Sequence, residues 1–262
     1  MLQERIEGKW LAAFRRVFAL NGITTGTTVA LIYETQSRPI LAHLSELALY
    51  DLGADFCMIK MPTPAQTAPV PVKGTGTSLA IQHNRAAIEA MKQCEIIVDC
   101  TVEGMIHSPE WPEVEAAGAR ILVVTNEHPE ILERTEPFAE LGPKVDLGVH
   151  MLNEAREMRV TSAAGTDLTI DLTDAPCGGT PGFGTTPGHL AHWPGGLCLA
   201  FPGEGTTHGR IVMDVGDMNL TFKTYLTSQI DIRIENDFVT EIKGDGLDAM
   251  QFRDYMEAWE DR

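Results

Sequence analysis

Ile96-Ile97-Val98-Asp99 and Ile121-Leu122-Val123-Val124 are short, continuously apolar runs. Strands of this kind have both faces covered, as happens when helices pack on either side of a parallel sheet. Upstream, Val29-Ala30-Leu31-Ile32-Tyr33 and Asp55-Phe56-Cys57-Met58-Ile59-Lys60 read as two further strands. Helical patterns separate them. An amphipathic helix opens the chain and stops at Leu20-Asn21-Gly22. Others run from about Pro39 to Leu52, with proline in the first turn and Gly53 just past the end, from His83 to Cys94, and around Pro112 to Ala117. Right-handed crossovers then give a three-layer, doubly wound half. The stretch from Pro62 to Thr77, with Pro62, Pro64, Pro69, Pro71, Gly74 and Gly76, reads as a long loop. No GxGxxG follows the first strand, so a dinucleotide site has no support.

After about residue 157 the period changes to two. Arg159 to Ser162 and Asp167 to Leu172 read as strands around Ala164-Gly165, and Gly209 to Val215 as another. Ile230-Asp231-Ile232-Arg233-Ile234 and Val239-Thr240-Glu241-Ile242 alternate across Asn236-Asp237, a hairpin signal. A helix from about Leu247 to Trp259 follows. The expected class is therefore α/β: a doubly wound, mostly parallel sheet over residues 1–156 and an antiparallel β-rich domain over 157–262.

The chain has 262 residues, 44% hydrophobic and 22% charged, with a formal net charge of -17. That acidity disfavours nucleic acid as a partner. No apolar run is long enough to span a bilayer, and the opening segment is charged throughout, unlike a signal peptide, which points to the cytoplasm. Five cysteines without a CxxC spacing argue for free thiols rather than disulfides or structural zinc.

Three places can carry chemistry. Thr101 to Glu110 follows the third strand, so His107 stands where open parallel sheets bind ligands, with a side chain suited to proton transfer. His189-Leu190-Ala191-His192-Trp193-Pro194 follows the irregular stretch Gly178 to Gly188. Trp193 could stack on an aromatic ligand whose polar edge His192 binds, or it could simply anchor the loop. Glu204, between Gly203 and Gly205, is open to a metal or an amine, or is a solvated turn residue. Asp214 and Asp217 beside Gly216 read more naturally as turn chemistry.

Ile106-His107-Ser108-Pro109-Glu110, His192-Trp193-Pro194, Asp214-Val215-Gly216-Asp217, Phe222-Lys223 with Tyr225, and Arg253-Asp254-Tyr255-Met256 recur in order. Together they resemble the 2,5-dihydroxypyridine 5,6-dioxygenase family and, more distantly, the aminopeptidase T group of metallopeptidases. The resemblance implies a cytoplasmic homo-oligomer that opens a hydroxylated N-heteroaromatic ring with O2 and a non-haem Fe(II). It places His107 and His192 as acid/base or hydrogen-bonding groups and Ile106, Trp193 and His189 against the substrate. It puts the iron ligands, two histidines and an aspartate, beyond Arg262, leaving Glu204 as the metal candidate within the chain. Two alternatives accompany it. One is an aminopeptidase or amidase using Zn or Co. The other is a non-catalytic homologue without the metal-binding tail.

Overall fold

The computed structural model describes residues 5–65, 77–222 and 224–259. Lys223 and the Pro69, Pro71, Gly74 and Gly76 of the expected loop lie outside the described residues. Along the chain the elements are α1 (Gly8–Leu20), β1 (Thr28–Glu34), α2 (Pro39–Leu52), β2 (Asp55–Met61), α3 (Arg85–Met91), β3 (Ile96–Asp99), α4 (Trp111–Ala116), β4 (Arg120–Val124), α5 (Pro129–Arg134) and α6 (Leu141–Glu154). There follow β5 (Glu157–Thr161), β6 (Asp167–Asp171), β7 (Cys177–Thr180), β8 (Leu190–Trp193), β9 (Leu197–Ala200) and β10 (Thr207–Met213). The last are β11 (Met218–Asn219), β12 (Thr224–Tyr225), β13 (Ile230–Glu235), β14 (Phe238–Lys243) and α7 (Leu247–Ala258).

The chain divides into two compact units. Among the described residues the first holds 5–65, 77–146 and Gly179–Leu197; the second holds Leu147–Gly178, 198–222 and 224–259. This corrects the boundary expected at residue 157, because Gly179–Leu197 returns to the first unit. The cause is β8, which pairs in parallel with β4 through Ile121↔Leu190, Leu122↔Ala191, Val123↔His192 and Val124↔Trp193. Its alternation is too short to be read as a strand in a glycine-rich neighbourhood.

The sheet of the first unit runs β2-β1-β3-β4-β8, all parallel. It is doubly wound. On one face Val29, Leu31, Val98, Leu122 and Val124 pack with Phe14, Val17 and Phe18 of α1 and Leu41, Leu44 and Leu49 of α2. On the other, Ala30, Ile32, Ile97, Ile121 and Val123 pack with Ala87, Ile88 and Met91 of α3 and Trp111 and Val114 of α4. The alternation of side chains along each strand explains why every residue of β3 and β4 is buried. Helix α2 ends where its sequence says, at Gly53, whose φ of 71° suits a residue without a Cβ.

In the second unit β14-β13-β10-β6-β5 form an antiparallel sheet. Ile230 and Ile232 turn inward onto Ala249 and Phe252 of α7. The hairpin turn has Asn236 and Asp237 at φ 50° and 73°, the left-handed values that asparagine and aspartate tolerate best after glycine.

Trp193 is fully buried in the first unit. Its ring meets Phe14 edge-on at 4.9 Å, and its Nε1–H donates to the Leu132 carbonyl at 3.1 Å. It holds β8 and α1 to the same core. Trp193→Ala should therefore cost ~3–5 kcal/mol of stability in urea unfolding, and a loss below ~1 kcal/mol would show that the ring is not the anchor of β8.

Candidate functional site

The carboxyl edge of the parallel sheet is built around two buried carboxylates. Asp99, at the end of β3, accepts from Thr101 N at 2.8 Å and Thr101 Oγ1 at 2.6 Å with one oxygen, and from Met105 N at 2.8 Å with the other. Glu34, at the end of β1, accepts from Val102 N at 2.8 Å. These bonds fold residues 101–105 back over the sheet. Gly104, with φ 75°, lies so close to Val123 that a Cβ there would stand 3.1 Å from its Cγ1. Met105 is buried in the apolar cluster beneath, and Ile106 packs against it.

His107 follows, exposed, at the crest of a turn closed by Ser108 N donating to Met105 O at 3.1 Å. Buried Met105 and Ser108 thus hold both sides of an exposed imidazole. Ser108 Oγ, Glu110 Oε2 in the same loop, and Thr125 Oγ1 just past β4, are buried without a hydrogen-bond partner among the described residues. Buried polar atoms in that condition cost free energy unless a polar group meets them.

His192 reaches the same edge from β8. Ile32, Asp99, Val123 and His192 are successive partners across β1, β3, β4 and β8. Paired residues of a parallel ladder project to one face, so His192 shares its face with Asp99 and with the loop that carries His107. Its Nδ1 lies 2.8 Å from the Pro194 carbonyl. A carbonyl only accepts, so Nδ1 carries the proton, and in the neutral ring Nε2 is an acceptor. Both imidazoles belong to the first unit, not to two different halves as the sequence led one to expect.

The other expected site residues fall elsewhere. Trp193 is buried in the core and walls no surface. His189 precedes β8 at the amino edge of the sheet, where its carbonyl accepts from Ile121 N at 2.9 Å. Its ring lies over Gly184, since a Cβ there would stand 2.0 Å from its Cδ2. Burial, and then nearby Arg120, depress its pKa, against a hydrogen bond to the Phe183 backbone. It is thus at the opposite end of the strand from a ligand bound beside His192. Glu204 is an exposed turn residue of the second unit. Asp214 and Asp217 close a turn, with Asp214 N donating to Asp217 Oδ2 at 2.8 Å. No group of three or more His, Cys, Asp or Glu among the described residues is arranged to hold a metal ion. The ligand set for iron is therefore not met by these residues, and the chemistry assignable to them is binding and proton transfer.

Two clefts accompany this geometry. One of about 270 Å³ opens at the carboxyl ends of β1 and β2, lined by Tyr33, Glu34, Ser37, His43, Glu46 and Lys60 among others. The larger, about 550 Å³, lies on the charged face of the second unit's sheet. Its charges are matched to one another, Arg210 to Asp231 at 2.7 Å, Arg233 to Glu235 at 2.8 Å and Lys243 to Glu241 at 2.8 Å. Such a solvated, self-paired face is a poorer ligand site than a sheet edge with orphaned polar atoms.

Asp99 and Glu34 were not singled out in the sequence. An aspartate ending an apolar strand, two residues before a threonine, was the available signal. Burial pushes the Asp99 carboxyl up to about 6, assisted by the charge of Glu34 and opposed by its bonds to Thr101 and Met105. A carboxyl whose folded pKa is raised binds its proton more tightly in the native state. Its contribution to stability is full below the ordinary value of 3.8 and is lost as pH rises to about 6. Unfolding free energies of wild type and Asp99→Asn measured across that window should therefore diverge, with the wild type falling relative to the variant as pH rises. Parallel profiles would contradict the burial of this charge.

The family model described as 2,5-dihydroxypyridine 5,6-dioxygenase (NicX) matches residues 9–262. A 2,5-dihydroxypyridine 5,6-dioxygenase of Pseudomonas putida (strain KT2440) is 31% identical over 252 residues, spanning 95% of this chain and 70% of the relative. The solved structure of the Pseudomonas putida KT2440 dioxygenase superposes with a TM-score of 0.85 at 30% identity, over 96% of this chain and 72% of that one. AmpT from Thermus thermophilus shares the fold, with a TM-score of 0.55 at 14% identity, over 94% of this chain and 73% of that one. The chain belongs to the 2,5-dihydroxypyridine 5,6-dioxygenase family.

Proposed function

We propose that this protein is a ring-cleaving dioxygenase acting on a hydroxylated N-heteroaromatic such as 2,5-dihydroxypyridine. Family membership supports the reaction class. The observation that carries the assignment to particular residues is the shared sheet edge. There His192 offers an acceptor nitrogen, His107 projects from a tethered loop, and Ser108, Glu110 and Thr125 leave buried polar atoms unmet.

In this reading His192 Nε2 accepts a hydrogen bond from a ring hydroxyl or N–H and so fixes the orientation of the ring. His107 takes a proton from a substrate hydroxyl as the ring is activated and can return it later. Ile106 supplies apolar contact beside it. Fe(II) is the cofactor that goes with this reading, supplying the activation of O2; none of the described residues is assigned to it. The AmpT likeness is one of fold and carries no second activity.

We also propose a cytoplasmic homo-oligomer. No helix among the described residues is long and apolar enough to cross a membrane, and none of the five cysteines is joined in a disulfide. Leu197, Leu199 and Phe201 stand exposed along and just past β9, and a monomer mass by light scattering would remove the oligomer from the proposal.

With Fe(II) and 2,5-dihydroxypyridine, the protein should consume O2 in step with loss of the ring's absorbance. His107→Ala should lower turnover by roughly 10²-fold and leave bound iron unchanged. Peptide hydrolysis without O2 uptake would overturn the activity, and normal turnover of His107→Ala would overturn its role.

A further inference from the structure

The cleft at the carboxyl ends of β1 and β2 lies on the other face of the sheet from His192. Ile32 shares the face of Asp99 and His192, so its neighbour Tyr33 turns away from them and packs against the cluster that holds Leu41 and Leu44 of α2. Lys60 is the ladder partner of Tyr33, and Met58 that of Leu31, so Tyr33, Met58 and Lys60 share this face and form the floor of the cleft. Ala42, His43 and Glu46 follow one another at helical spacing on α2 and form its wall. A turn at the end of β1 completes the lining. There Ser37 N donates to Glu34 O at 3.0 Å, and Glu34 N donates to Ser37 Oγ at 2.9 Å.

The charges in this cleft are of both signs and are not matched to each other. Lys60 stands on the sheet and Glu46 on the helix, and neither has an ion pair or hydrogen bond among the described residues. Farther along α2, by contrast, Asp51 is taken by Arg15 at 2.8 Å. The charged face of the second unit is self-paired as well. Between Lys60 and Glu46 the surface is apolar, made by Met58, Ala42 and the ring of Tyr33. An anion alone would meet Lys60 but leave Glu46 repelling it, and a cation alone would meet the reverse. A ligand that carries both charges satisfies both walls. The volume of about 270 Å³ is below the roughly 300–1,000 Å³ of pockets for drug-sized ligands, so the occupant is small.

We propose that this cleft binds a small zwitterionic amino acid, with its carboxylate on Lys60, its ammonium on Glu46 and its apolar side chain against Met58 and Tyr33. The sheet separates the cleft from His192, so this occupant is distinct from the ring that His192 would orient.

The test presents the twenty ordinary L-amino acids singly, at millimolar concentration, to the full chain and reads binding by saturation-transfer NMR and titration. At least one with an aliphatic or aromatic side chain should bind. Its methyl ester, which lacks the carboxylate charge, and its N-acetyl derivative, which lacks the ammonium, should each bind roughly tenfold more weakly, because each leaves one wall charge unmet. In Lys60→Gln the parent and the ester should bind alike, and in Glu46→Gln the parent and the N-acetyl derivative should. This matching of each variant to one ligand group is a result that general damage to the fold would not give. Both variants should keep the wild-type rate of ring cleavage. The proposal is overturned if none of the twenty binds, if the ester and the N-acetyl derivative bind as tightly as the parent, or if both variants retain the wild-type affinity.

Discussion

The parallel ladder between β4 and β8 is the constraint from which the site follows. Four residue pairs, reinforced at the ends by Ile121 N on the His189 carbonyl and Thr125 N on the Trp193 carbonyl, join segments more than sixty positions apart. Closing such a loop costs chain entropy that hydrogen bonds alone do not return. Trp193 supplies the difference by burying its indole between Phe14 and the backbone of α5. Once Trp193 is inside, the period of two turns His192 the opposite way, onto the face where Asp99 sits. Residues adjacent in sequence therefore have opposite duties, one in packing and one in chemistry.

A second constraint is electrostatic. Asp99 is fully buried and Glu34 nearly so, which is costly for carboxylates unless backbone donors surround them. The donors come from residues 101–105, so satisfying the charges also shapes the loop. His107 is carried on this loop between buried neighbours, and its backbone position is set before any ligand arrives. Preorganisation of this kind is what a proton-transferring group requires, since small misplacements reduce rates steeply.

Much of the fold could be read directly. The continuously buried runs around Ile97 and Leu122, the start of α2 at Pro39 and its stop at Gly53, and the Asn236-Asp237 hairpin all carry local signals that tertiary structure does not override. Helix α6 and strand β8 lacked them. The first begins at Leu141-Gly142-Pro143, residues that usually break helices, and the second is four residues long between glycines. Missing β8 misplaced the domain boundary, and with it the expectation that His107 and His192 come from different halves. The site was legible in its histidines because their neighbours resemble a family. It was not legible in Asp99 and Glu34, whose importance depends on which backbone N–H groups fold back onto them. Nor did the sequence separate Trp193 as a stacking platform from Trp193 as an anchor, since either role suits an aromatic residue beside a histidine.

The central claim is that a hydroxylated ring binds at the carboxyl edge of the parallel sheet, with His192 Nε2 as its acceptor. A crystal structure of the protein with 2,5-dihydroxypyridine under exclusion of oxygen tests it most directly. The account predicts the ring on the face shared by Asp99 and His192, with a ring hydroxyl or N–H within hydrogen-bonding distance of His192 Nε2 and His107 on its rim. A ring seated on the charged sheet of the second unit, or at the amino edge beside His189, would contradict it.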